Sequence, residues 1–239
     1  MQHVLQLYQD EARLLDALTD FAAAGLRADE AVVVIASTPR WELLVERLQK
    51  SGIDPHGRVV RGQLRLFRLH VVLGAVPNRQ RFSEVMNGVL ALAHARHSRV
   101  RVFSELTDAL WRGGERSAAC RCERYWQNLL AVQDCQLLCA CPIDSLEGEA
   151  YDGTLQALCG EHTHVRPAFD EAAFEEAVAG AVTEVLDVEQ ARMLASLSAA
   201  HRPLAQMPPG QAMLFWLKDH MPRTAEKVLS RARARWSEH

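Results

Sequence analysis

The run AVVVIAS at residues 31–37 limits what this chain can become more than any other stretch. It is apolar and β-branched almost throughout, with no polar alternation. A strand with one wet face alternates, so this one reads as buried on both faces, the habit of parallel sheets. Parallel strands cannot be joined by tight hairpins, so helices must alternate with them. The first 167 residues meet that demand. HVLQLY (3–8), QLRLFRL (63–69), RVRVFSEL (99–106), QLLCACPI (136–143, halted by Pro142) and THVRP (163–167) read as further strands. Asp10 can cap a first helix, whose Leu14, Leu15, Leu18, Phe21 and Ala22 recur at helical spacing and which Gly25 is expected to end. Thr38 as N-cap and Pro39 in the first turn are expected to open a second helix, with Gly52 as its stop. Residues 78–97 predict a helix with Val85, Val89, Leu92 and Ala93 inward. Arg116 to Val132 predicts another, with Ala118, Ala119, Cys122, Trp126, Leu129 and Leu130 on one stripe, and residues 145–161 a last one. The expected class is α/β, a mostly parallel sheet with helices on both faces.

After Phe169 no strand signal survives, so the expected division is 1–168 and a helical extension, 169–239. Residues 170–187 predict an amphipathic helix with Phe174, Ala177, Val178, Ala181 and Val185 as its apolar stripe. More helices follow, broken near Pro203, Pro208–Pro209–Gly210 and Pro222. Residues 170–189 hold seven acids and no lysine or arginine, whereas 218–235 hold six basic residues against two acids. A basic helix can bind nucleic acid, but the acidic helix offers it a partner within the chain or across a dimer. A formal charge of -3 gives no general pull toward nucleic acid. No apolar run approaches the ~20 residues needed to span a bilayer. The opening MQHVLQLYQDEARLL carries acid where a signal peptide would be apolar, so a cytoplasmic protein is expected. Its six cysteines then read as thiols.

A parallel α/β chain invites a nucleotide, which needs glycines and a lysine between strand one and helix one to surround phosphates. That junction here reads LYQDEARLL, with Asp10 and Glu11 where phosphate oxygens would sit. Like charges repel, so phosphate binding in that mode is not expected. Tyr8, Asp10 and Glu11 are instead candidates to line a pocket, with helix capping as the simpler role for Asp10. Glu105 and Asp108 follow the fourth strand, at the carboxyl end where open α/β sheets place ligands. They have no evident nucleophile or metal; the simpler role for Glu105 is to cap a loop or orient a polar ligand, and its place at the carboxyl end of the strand favours a pocket role. Cys139 and Cys141 are two apart on a strand and share a face, as core residues or as pocket lining. Cys120 and Cys122 are two apart on a helix and point different ways, which disfavours a shared metal. Cys159, His162 and His164 could give a metal three ligands only if the chain turns sharply between them. The structural reading is preferred: His162 satisfies carbonyls at a helix end, and His164 lies on the last strand, packed or lining the pocket. No metal and no cofactor is expected.

Five stretches then resemble one family. HVLQLYQDEARLLDALTDFAAAGLRADEAVVVIAS, FSELTDALW (103–111), RCERYWQNLL (121–130), LLCACPID (137–144) and CGEHTHVRP (159–167) look, in order, like the MEDS domain, the methanogen/methylotroph sensory domain. The family is similar in layout to the RecA-like core of the circadian-clock ATPases, with the phosphate loop lost in the family. The resemblance implies signal input, as in histidine kinases and a dichloromethane-responsive repressor, rather than catalysis. Cys141 stands where the family tends to have tyrosine, and no kinase or helix-turn-helix is recognisable beside the sensory part. The expected function is therefore a non-enzymatic regulator. A small ligand or signalling protein would bind at the carboxyl end of the sheet, and the C-terminal helices, paired in a homodimer, would carry the signal. A thiol- or nucleotide-dependent enzyme and a DNA-binding regulator using the basic tail are the alternatives.

Overall fold

The computed structural model describes residues 2–144, 146–151, 153–168, 170–200 and 207–236. Six strands form one parallel sheet: β1 (His3–Tyr8), β2 (Ala31–Ala36), β3 (Leu64–Arg68), β4 (Val100–Ser104), β5 (Cys135–Pro142) and β6 (His164–Arg166). Their order is β3-β2-β4-β5-β1-β6. Every residue of β1 and β2 is buried; the unbroken apolar run of β2 requires this, whereas β1 buries the polar His3 and Gln6 as well. Registers are regular: Val32 pairs with Leu64 and Arg101, and Ser104 with Cys139. Packing divides the chain into two compact units, Met1–Gln6 with Asp10–Pro142, and Leu7–Gln9 with Ile143–His239.

In the first unit, helix α1 (Glu11–Arg27) starts where expected, the Asp10 carboxylate accepting from Ala12 N at 2.9 Å. It does not stop at Gly25. The helix runs to Arg27, and Asp29 takes the left-handed conformation (φ 58°) just beyond it. Gly25 is there for space: a Cβ would fall 2.9 Å from Val32 Cγ2 and 2.8 Å from Arg101 Cδ. Helix α2 (Thr38–Lys50) has Ser37, not Thr38, at its N-cap, Pro39 in the first turn and Gly52 beyond its end. Short helices α3 (Pro55–Val60) and α4 (Leu69–Leu73) flank β3. Helix α5 (Arg79–His94) buries Phe82, Met86, Val89, Leu90 and Ala93; Val85 is half-buried and Leu92 exposed, so its stripe is rotated from the expected one. The expected strand 99–106 ends at Ser104, and α6 (Leu106–Arg112) follows at once. Helix α7 (Arg116–Leu130) buries its whole expected stripe, and Glu123 with it.

In the second unit the expected helix 145–161 is two pieces, a 3-10 turn at Gly148–Tyr151 and helix α8 (Gly153–Gly160). Two glycines within a dozen residues weaken helix continuity there. Helices α9 (Glu171–Leu186), α10 (Val188–Ala200), α11 (Pro209–His220) and α12 (Pro222–Trp236) complete the tail. Prolines open α11 and α12, while Pro203 lies outside the described residues. Phe174, Ala177, Val178, Ala181 and Val182 form the buried stripe of α9, with Val185 at its margin. Helix α12 packs along α9, and α11 buries Leu214 and Phe215, the latter edge-on to Tyr151 at 5.0 Å.

Candidate functional site

The turns that leave β1, β2 and β4 at the carboxyl end of the sheet meet on one guanidinium. Arg40 lies in the first turn of α2 and is only 6% exposed. It donates to Glu11 from Nε (2.8 Å) and Nη2 (2.7 Å), and from Nη1 to Glu105 (3.0 Å) and Asp108 (2.7 Å). Arg112 donates to the other oxygen of Asp108 at 2.8 Å. Three carboxylates thus face two guanidiniums. Glu105 also accepts from Ser37 N (2.7 Å) and Ser37 Oγ (3.2 Å). Burial raises the Glu105 pKa above its ordinary value, although Arg40 and the Ser37 donors pull it back. Glu105 therefore ties the start of α2 to the end of β4, at the carboxyl end of the sheet.

A second polar group lies deep between the sheet and its helices. His3 of β1, Glu123 of α7, Cys139 of β5 and Thr107 of α6 are each at most 2% exposed. One oxygen of Glu123 accepts from His3 Nε2 at 3.0 Å and from the Cys139 thiol at 3.4 Å. The other accepts from the Thr107 hydroxyl. Cys139 Sγ and His3 Nε2 are 3.7 Å apart. Burial, reinforced by the Glu123 carboxylate, pushes the Cys139 thiol well above its ordinary pKa. These three side chains offer a nitrogen, an oxygen and a sulfur donor within 4.8 Å of one another.

The remaining candidates separate. Asp10 is exposed and caps α1. Tyr8 ends β1, buried, its carbonyl accepting from Ile143 N. Cys141 is fully buried in β5. His164 is partly exposed on β6, its Nδ1 beside the Thr163 hydroxyl at 3.1 Å. His162 Nδ1 donates to Leu158 O, 2.8 Å away at the end of α8, which is the helix-end role read from the sequence. Among the described residues, Cys159, His162 and His164 do not gather with one another into a metal-sized group, nor do Cys120 and Cys122. All six cysteines are buried; burial lifts Cys122 well above its ordinary pKa and Cys135 to about 12. A cleft of about 360 Å³ opens at the opposite, amino end of the sheet, lined by residues that include Glu30, Arg99 and Asp134.

With this geometry in view, the comparison with protein families is decisive. The model of the family described as the methanogen/methylotroph, DcmR sensory domain (MEDS) matches residues 2–163. The chain belongs to the MEDS family. The match takes in every element of this chain from β1 through α8, with both polar groups above. MEDS is a family of sensory domains. A search of curated proteins and of solved structures finds no match to the chain.

Sequence reasoning missed Arg40, Arg112, His3, Thr107 and Glu123. One of them carried a signal. Glu123 falls at helical spacing between Ala119, Trp126 and Leu130 on the apolar stripe of α7. A carboxylate there must be buried, and a buried carboxylate demands partners. His3 and Thr107 carried none, because their neighbours come from distant parts of the chain.

Proposed function

We propose that this MEDS chain is a non-catalytic sensory module. A small polar ligand or a signalling protein engages the carboxyl end of the sheet, and the helices after residue 168 carry the output. The observation that carries this reading is the Arg40 hub. One buried guanidinium joins carboxylates from the turns after β1 and β4, and itself sits in the turn after β2. A ligand that competes for any of these partners binds one arrangement of the three turns better than another, which is what a population shift requires.

Three features weigh against the alternatives. The N-terminus of α1, where a nucleotide phosphate would bind, is already held by the Asp10 carboxylate. The reactive form of cysteine is the thiolate, and burial opposes it at Cys122, Cys135 and Cys139. The basic helix α12 directs Arg231 and Arg235 to Glu184 and Arg233 to Glu147. That leaves less of its charge for nucleic acid. No described helix is long and apolar enough to cross a membrane. We further propose that the tail forms a homodimer. The apolar faces of α9 and α11 are covered within the chain, so the contact falls to α10, which exposes Val188, Met193 and Leu197.

Hydrogen exchange by mass spectrometry tests the sensory reading, with methanol, methylamine and dichloromethane as probes suited to a methylotroph-type family. Binding slows exchange in peptides covering Ser37–Arg40 and Glu105–Asp108 and changes it in 171–236. Product formation from any probe would make the protein an enzyme. Protection confined to the amino-end cleft would place the input elsewhere.

A further inference from the structure

We propose that His3, Glu123 and Cys139 form a binding site for a divalent transition-metal ion, zinc by preference. The donor triangle has edges of 3.0 Å (His3 Nε2 to Glu123 Oε2), 3.4 Å (Glu123 Oε2 to Cys139 Sγ) and 3.7 Å (Cys139 Sγ to His3 Nε2). Around tetrahedral zinc, bonds of about 2.0–2.2 Å to nitrogen and oxygen and about 2.3 Å to sulfur give edges of roughly 3.4–3.6 Å. No pair has to move by more than about 0.4 Å to accept the ion. The site is therefore preformed. It is also held on rigid elements: His3 and Cys139 lie on β1 and β5, neighbours in the sheet, and Glu123 on α7. A supporting contact is present as well, because the Thr107 hydroxyl donates to the other oxygen of Glu123 and fixes the carboxylate's orientation.

The donor set selects the metal. Thiolate with imidazole favours zinc, copper or iron over magnesium and calcium, which prefer oxygen and keep their water. Each donor is at most 2% exposed, which also disfavours a hydrated ion. On binding, the Cys139 S–H bond gives way to a sulfur–metal bond and its proton leaves to solvent; no electron is transferred. A four-coordinate ion takes one donor beyond these three. The same atoms make a hydrogen-bonded triad without metal, so the experiment must tell the two apart. The inference is independent of the sensory reading, and either can fail alone.

The full-length protein is produced in minimal medium with zinc, and separately with cobalt in its place, and purified without chelator. Elemental mass spectrometry is expected to find a single bound ion per chain. The cobalt form is expected to show intense visible bands of tetrahedral cobalt and a thiolate-to-cobalt charge-transfer band in the near ultraviolet. C139S loses the charge-transfer band, and H3Q and E123Q weaken binding at least about tenfold. C135S changes neither, because Cys135 lies four residues back on the same strand, about 13 Å away. Protein free of metal from both media overturns the inference, as does cobalt bound without a thiolate band, or loss of the band in C135S. Circular dichroism checks each variant's fold. If C139S does not fold, the wild-type cobalt spectrum still decides.

Discussion

Glu105 shows how one side chain can be both structural and responsive. Its carboxylate is buried among Arg40, Ser37 and Asp108, and burial, the largest influence, raises its pKa above 4.5. A carboxyl whose folded pKa is raised binds its proton more tightly folded than unfolded. Its contribution to stability is complete below the unfolded pKa of 4.5 and is lost as pH rises through the folded value. In E105Q that titration is gone. The stability advantage of wild type over E105Q should therefore be largest in acid and shrink as pH rises past 4.5, then level off. Urea unfolding of both proteins from about pH 4 to about pH 7.5 reads this difference. A difference that grows with pH would mean that Arg40 and Ser37 outweigh burial, and that the carboxylate is net favourable in place.

At the scale of elements, α9 and α12 show which force holds the tail together. Their charges are opposite, and Glu184 meets both Arg231 (3.1 Å) and Arg235 (3.3 Å). These pairs are well exposed, and exposed pairs contribute about 0–1 kcal/mol each. The apolar stripe beneath them contributes more. Phe174 is 1% exposed, and truncating a buried phenylalanine costs about 3–5 kcal/mol. Close approach also matters, because Gly180 lies where a Cβ would sit 2.9 Å from Arg235 Nη1. F174A is expected to lower the unfolding free energy by about 3–5 kcal/mol and E184A, which removes both pairs, by about 2 kcal/mol or less. Equal losses in urea unfolding would show that charge, not burial, joins the two helices.

For the whole molecule, the question is where unused apolar surface remains. The stripes of α9 and α11 are consumed inside the second unit, so they cannot also build an interface. Helix α10 is different: Met193 is 66% exposed and Val188 52%. Scattered apolar residues on a surface are ordinary, but a helix that exposes several of them suits self-association. Light scattering of the full chain should report a dimer, and M193E should shift it toward monomer without loss of helical circular dichroism. A monomeric wild type would end the dimer proposal, as would a dimer indifferent to M193E.

What the sequence determined by itself is what depends on local period. The unbroken apolar run at 31–36 was enough to call for a parallel sheet, and the stripe of α7 was legible residue by residue. Both follow from side-chain spacing of two or about 3.6 residues, which neighbours along the chain impose. Gly25 was read as a stop because a glycine's use for close packing cannot be told from its use in a turn until Val32 and Arg101 are placed. Strand order and register, not spacing, bring His3 to Glu123, 120 positions away, and Arg40 to Asp108, 68 away. Convergence of side chains across such distances is a property of the assembled sheet, since only the pairing of strands decides which turns and faces meet. The tertiary structure alone thus decided both the Arg40 hub and the buried donor triangle.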